Sequence, residues 1–240
     1  MDVFCSAQIL DSRDNATIIP PMQRPDAKPR SALCESHAEE LANIATHALG
    51  TALAIVALVV MVVTAGGETF RTLSATVFGG TLVLLYFSST LYHATTCPRK
   101  KPMLQALDHA CIYLLIAGSY TPLSLVALRG PWGWSLFGIV WCMALGGVLL
   151  KTFTRGKRDT WWSTALYIVM GWLAVFAFGP MLRALSPVGV AWMVAGGLCY
   201  TLGVIFFAWK SLRFNHAIWH LFVLAGSACH VVATAGYILR

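Results

Sequence analysis

Residues 105–127 read "QALDHACIYLLIAGSYTPLSLVA". Beyond Asp108 and His109 the stretch runs to Ala127 without another charged side chain. As a helix it is long enough to cross the hydrocarbon of a bilayer, which takes about 20 apolar residues. Its apolar residues are continuous rather than alternating, so it does not read as a strand. Both ionisable groups stand at one end, where a side chain leaves the headgroups and enters hydrocarbon. An acid at that depth is costly and as a rule has a partner or a function.

Six further runs of the same kind lie around it, at 43–64, 73–94, 132–151, 161–181, 188–208 and 215–238. The chain is 58% hydrophobic and 11% charged, with a mean hydropathy of +0.69. Soluble domains carry about 25% charged residues. The expected fold class is therefore all-α, a polytopic membrane protein with seven transmembrane helices. A β-barrel is excluded because its strands alternate while these runs do not. Spans three and four are separated only by "LRGPWG" (128–133), a Gly-Pro turn. Trp132, Trp134, Trp161, Trp162 and Trp209 fall at span ends, as an interfacial belt would. Residues 1–36 hold four of the ten prolines and no apolar run. They read as a flexible tail without the core of a cleavable signal peptide, and residues 37–240 read as the membrane domain.

Lysine and arginine give the orientation. Arg13, Arg24, Lys28, Arg30, Arg99, Lys100, Lys101, Lys151, Arg155, Lys157, Arg158, Lys210 and Arg213 fall on one side, and Arg71, Arg129, Arg183 and Arg240 on the other. The positive-inside rule places the N-terminus in the cytoplasm and the C-terminus outside. The net charge of +7 is thus a topology signal and not a nucleic-acid footprint. The seven cysteines are scattered, with no CxxC, so no disulfide framework is expected.

With this topology, residues far apart in sequence converge on the cytoplasmic face. Glu40, Asn43 and His47 begin span one, and His93 ends span two. Asp108 begins span three, and His216 and His220 begin span seven. The i, i+4 spacing puts His216 and His220 on one helical face, and Ser89 with His93 on another. Two imidazoles from one helix and a third from another make the three-nitrogen set of a catalytic zinc site, with a fourth position open for water. Asp108 is placed to hold that water and act as general base. It is the one acid among ten that lies neither in residues 1–40 nor in a loop.

A plainer reading stands beside each assignment. An interfacial histidine often does no more than hydrogen-bond a neighbour or a headgroup, and His109 and His230 are read that way. His37 reads as solvated. Ser89 is equally suited to joining two helices. Glu40 and Asn43 suit a helix start.

"ELANIATH" (40–47), "SSTLYH" (88–93), "LDHACIYLLIAGSYTP" (107–122) and "HAIWHLFVLAGSACH" (216–230) together resemble the bacterial hemolysin III family. That family belongs with the progestin and adipoQ (adiponectin) receptors. The resemblance covers residues 37–240. It implies seven helices, a cytoplasmic N-terminus and a zinc ion near the cytoplasmic leaflet. It implies His93, His216 and His220 as the ligands, with Ser89 and Asp108 as neighbouring motif residues. Glu40, Asn43 and His47 match the first family motif, whose role the resemblance leaves open. The bacterial branch implies an inner-membrane location.

Three functions follow from these readings. One is a zinc-dependent hydrolase of membrane-lipid amides or esters, ceramidase-like and acting in lipid homeostasis. The second is a sensor or regulator with a structural zinc. The third is a pore-forming, haemolytic protein, as the family name implies. A membrane lipid is the expected substrate or ligand. Gly146, Gly147, Gly196 and Gly197 are candidate close-packing points, within the chain or between copies in a homo-oligomer.

Overall fold

A computed structural model describes residues 36–154 and 161–240. The N-terminal segment read as a tail, apart from Ser36, and the loop cations Arg155, Lys157 and Arg158 lie outside the described residues, as does the side chain of Trp161. Eight α-helices are present among the described residues: α1 (His37–Thr64), α2 (Thr69–Ala94), α3 (Lys101–Pro122), α4 (Pro131–Thr154), α5 (Trp161–Gly171), α6 (Phe178–Ala184), α7 (Pro187–Ala208) and α8 (Asn215–Ala233). They build seven helical spans long and apolar enough to cross a membrane, and no strand occurs among the described residues. The chain is an all-α integral membrane protein.

The starts and stops follow local chemistry. Ser36 caps α1 in a capping box: Glu39 N–H bonds the Ser36 hydroxyl at 3.3 Å, and Ser36 N–H bonds Glu39 Oε2 at 2.8 Å. Gly66 and Gly67, at φ +62° and +81°, turn the chain between α1 and α2. Gly130 at φ +109° closes the turn before Pro131, which opens α4 at a position where a missing N–H does no harm.

α3 sits at the centre of the fold. It contributes Cys111 and Leu115 to a core shared with α1, α2 and α8, and Tyr113, Ala117 and Tyr120 to a second core shared with α4, α5 and α6. Outward-facing positions are apolar and exposed, among them Leu53, Val56, Val63, Phe153 and Phe176. That inversion of the soluble pattern is what lipid contact requires. Trp132, Trp134, Trp162 and Trp209 are exposed at span ends as expected. Lys151, counted with the loop cations, is instead buried in the last turn of α4.

The helices approach closely where they meet at glycine. A Cβ added at Gly79 would stand 2.9 Å from the Leu58 backbone, and one at Gly147 would stand 2.5 Å from the Tyr113 ring. Gly196 likewise abuts His230, whereas Gly146 faces open space.

The fifth span differs from the single helix expected over 161–181. It is α5, then a 3₁₀ segment (Leu173–Ala177), then α6. Gly171 and Pro180 mark a sequence that does not hold one continuous helix. Backbone groups freed inside a membrane must find partners within the protein. Tyr120 of α3 supplies them: its hydroxyl donates to the Gly171 carbonyl at 2.7 Å and accepts the Ala174 N–H at 2.9 Å.

Candidate metal centre

α1, α2 and α8 bring their histidines together at one end of the bundle. His93, His216 and His220 each offer a ring nitrogen, and all three atoms lie within 4.8 Å of one another. Among the described residues no carboxylate or cysteine joins the group. The ring centroids of His93 lie 5.0 Å from His216 and 5.3 Å from His220, and those of His216 and His220 are 4.6 Å apart. His93 and His220 are buried and His216 half-buried.

The other ring nitrogens of His93 and His220 are engaged. His93 Nδ1 lies 2.7 Å from Glu40 Oε2, and Glu40 Oε1 receives Lys101 Nζ at 2.8 Å. The His93 Nδ1–H therefore donates to the carboxylate. His220 Nδ1 lies 3.1 Å from the Thr46 hydroxyl, which itself donates to the Ala42 or Asn43 carbonyl at 2.9 and 3.0 Å. With its proton committed to a carbonyl, the Thr46 oxygen accepts the His220 Nδ1–H. Both rings are thereby fixed in the tautomer that leaves a lone pair on Nε2. Both Nε2 atoms are buried with no hydrogen-bond partner among the described residues. A histidine that donates one nitrogen to a carboxylate or hydroxyl and offers the other to an ion is the usual metal-ligand arrangement. The residues fit a metal.

The α8 start is set from outside that helix. Phe214 takes a left-handed conformation, φ +59°, uncommon for a residue with a side chain. Its N–H donates to Glu39 Oε1 at 3.0 Å. Glu39, the partner of Ser36 in the α1 capping box, thus also fixes the turn that delivers His216 and His220.

His47 is near the group without joining it. It stacks on His220 at 3.5 Å between centroids, meets Tyr86 edge-on at 5.1 Å, and neither of its ring nitrogens has a hydrogen-bond partner among the described residues. Ser89 is buried one turn before His93, and Asn43 is fully buried on α1. Asp108 is buried and stands in the wall of a cavity of about 460 Å³. His47 lines the same cavity, while the three grouped histidines do not. From Asp108 the cavity follows α3 to Leu123. At 1.5 Å per residue that is about 22 Å. Its lining is mostly apolar, with Tyr200, Thr201 and His230 deeper in. His230, read as an interfacial hydrogen-bonder, faces this cavity and stacks on Tyr200 at 5.5 Å. His109 is buried, and His37 is exposed as expected.

Thr46 and Lys101 were not singled out from the sequence. Thr46 follows Asn43 by three residues, a spacing that makes the two neighbours on α1 and that helical periodicity could have marked.

Known proteins agree with the motifs. The family model described as "Haemolysin-III related" matches residues 36–231. "Hemolysin-3" of Bacillus cereus is 45% identical over 203 residues, covering 84% of this chain and 92% of that protein. The "Hemolysin-3 homolog" of Bacillus subtilis is 44% identical over 204 residues, covering 84% and 95%. "Monocyte to macrophage differentiation factor" of Homo sapiens is 31% identical over 218 residues, 86% of each chain. With the match running from the cap of α1 to the third histidine of α8 and beyond, the chain belongs to the haemolysin-III-related family.

Proposed function

We propose that this protein is a zinc-dependent hydrolase of membrane-lipid amides or esters, acting in membrane-lipid homeostasis. The observation that carries the reading is the convergence of His93, His216 and His220 beside a long apolar cavity walled by Asp108. Three histidines are a catalytic count, since structural zinc sites are closed by four protein ligands. Zinc bound there would polarise an acyl carbonyl and lower the pKa of a water toward about 7.

The remaining work falls to the chain. Glu40 and Thr46 orient His93 and His220. Asp108 takes a proton from the attacking water and passes it to the departing amine or alcohol as the acyl C–N or C–O bond breaks. Ser89 adds a hydroxyl beside His93 for the substrate carbonyl. The cavity holds the acyl chain. The distribution of cations supports a cytoplasmic histidine end, and the Bacillus relatives support a bacterial inner membrane.

Elemental analysis of protein purified without chelator tests the first half. Near-stoichiometric zinc that disappears in His216→Ala/His220→Ala supports the site, and absence of metal from the wild type removes it. Asp108→Asn tests the second half, in a panel of N-acyl sphingoid, phospholipid and fatty-ester substrates. It should keep zinc and lose turnover; a wild-type rate would end the assignment.

The name of the Bacillus cereus relative favours a second reading, membrane lysis. Dye release from liposomes that persists in His216→Ala/His220→Ala, with no substrate turned over by the wild type, would favour it.

A further inference from the structure

The end of the bundle opposite the histidines carries few charges: Glu68, Arg71, Arg129, Arg183 and Arg240. Four of these five line a single cavity of about 430 Å³, together with Tyr237. Cations that only set topology have no reason to collect in one hollow. Two of the walls are π-helical turns, Leu123–Ala127 after α3 and Thr234–Ile238 after α8. Such turns are rare and frequent at functional sites, and here both lie in the last turn of a span against the same hollow.

The charges in it are unequally satisfied. Arg71 Nη1 donates to the Leu239 carbonyl at 3.0 Å, which anchors the guanidinium. Arg71 Nε is buried and has no hydrogen-bond partner among the described residues. Arg129 Nη2 lies 3.0 Å from Glu68 Oε1, and its guanidinium lies 5.7 Å from the centroid of the Phe70 ring. Glu68 is fully engaged, with Oε2 accepting the Arg71 backbone N–H at 2.7 Å. That bond, helped by Arg129, holds its carboxyl below the ordinary carboxylate range. One committed side-chain carboxylate thus shares the hollow with three guanidinium groups.

We propose that this cavity binds a phosphate-type oxoanion, with Arg71 and Arg129 as its principal donors. The planar fork of a guanidinium matches the paired oxygens of a phosphate, and a guanidinium anchored on a backbone carbonyl is preorganised for it. The cavity lies at the span ends, where lipid headgroups lie, and Trp134 packs near Phe70 at 6.5 Å as an interfacial residue would. A phospholipid headgroup and soluble phosphate share the required chemistry.

The test uses the full chain in detergent, with three probes: short-chain phosphatidylglycerol, a diacylglycerol of the same chains, and inorganic phosphate. Phosphatidylglycerol or phosphate should raise the melting temperature and the diacylglycerol should not. Stabilisation by phosphatidylglycerol alone assigns the site to lipid, and equal stabilisation by inorganic phosphate assigns it to a soluble anion. Arg71→Gln also removes the tie to Leu239, so the decisive variants are at Arg129 and Glu68, whose side chains are 57% and 41% exposed. Arg129→Gln should weaken binding about tenfold. Glu68→Gln removes a competing charge and should tighten it a few fold. No stabilisation by either phosphate probe, or unchanged affinity in Arg129→Gln, overturns the proposal.

Discussion

Glu40 of α1 holds His93 of α2 through a 2.7 Å contact and is itself held by Lys101 of α3 at 2.8 Å. One carboxylate therefore joins three helices at the candidate metal centre. Glu40→Gln should lower zinc affinity by about 10–100-fold, the usual loss when the partner of a ligating histidine is removed. Competition titration with a chromogenic chelator reads it. Lys101→Met, which leaves the His93 contact in place, should lose less. Equal affinity in wild type and Glu40→Gln would mean the contact does not serve the metal.

Thr46 plays the corresponding part for His220. Thr46→Val keeps the shape of the side chain and removes the acceptor. Zinc affinity should fall about tenfold while the melting temperature of the metal-free protein changes little. A drop in metal-free stability with unchanged affinity would make Thr46 a packing residue only.

Tyr120→Phe should destabilise the protein well out of proportion to one oxygen. It leaves the Gly171 carbonyl and the Ala174 N–H without their shared partner. Each buried unsatisfied group costs about 1–3 kcal/mol. Thermal unfolding in detergent should show a clear fall in melting temperature, and an unchanged value would show that the break is satisfied in another way.

Gly79 and Gly80 make a matched pair. A Cβ at Gly79 would stand 2.9 Å from the Leu58 backbone, whereas one at Gly80 meets nothing within 4 Å. Gly79→Ala must push α1 from α2 and should destabilise by about 1–3 kcal/mol. Gly80→Ala should stay within about 0.5 kcal/mol of wild type.

The seven spans were legible because a bilayer demands length and apolarity, and both are written locally. The pairing of His216 with His220 was legible for the same reason, being a matter of four residues on one helix. The role of Glu40 was not, since its partner is 53 residues away, and Thr46 meets a histidine 174 residues away. Asp108 stood out as a solitary acid. Its place on the cavity wall, outside the histidine group, follows from the rotation of α3, which no periodicity in so uniformly apolar a helix fixes. The break in the fifth span was hidden because hydropathy stays high across it, with Gly171, Gly179 and Pro180 as its marks.

That break also bears on how the protein is made. α5 and α6 have 11 and 7 residues, so neither alone reaches across hydrocarbon. Between them lie backbone dipoles that lipid cannot solvate, and the hydroxyl that satisfies them belongs to α3. The fifth span can settle only against a third span already in place. Synthesis from the N-terminus delivers them in that order, so the chain never has to shelter the gap in bare lipid.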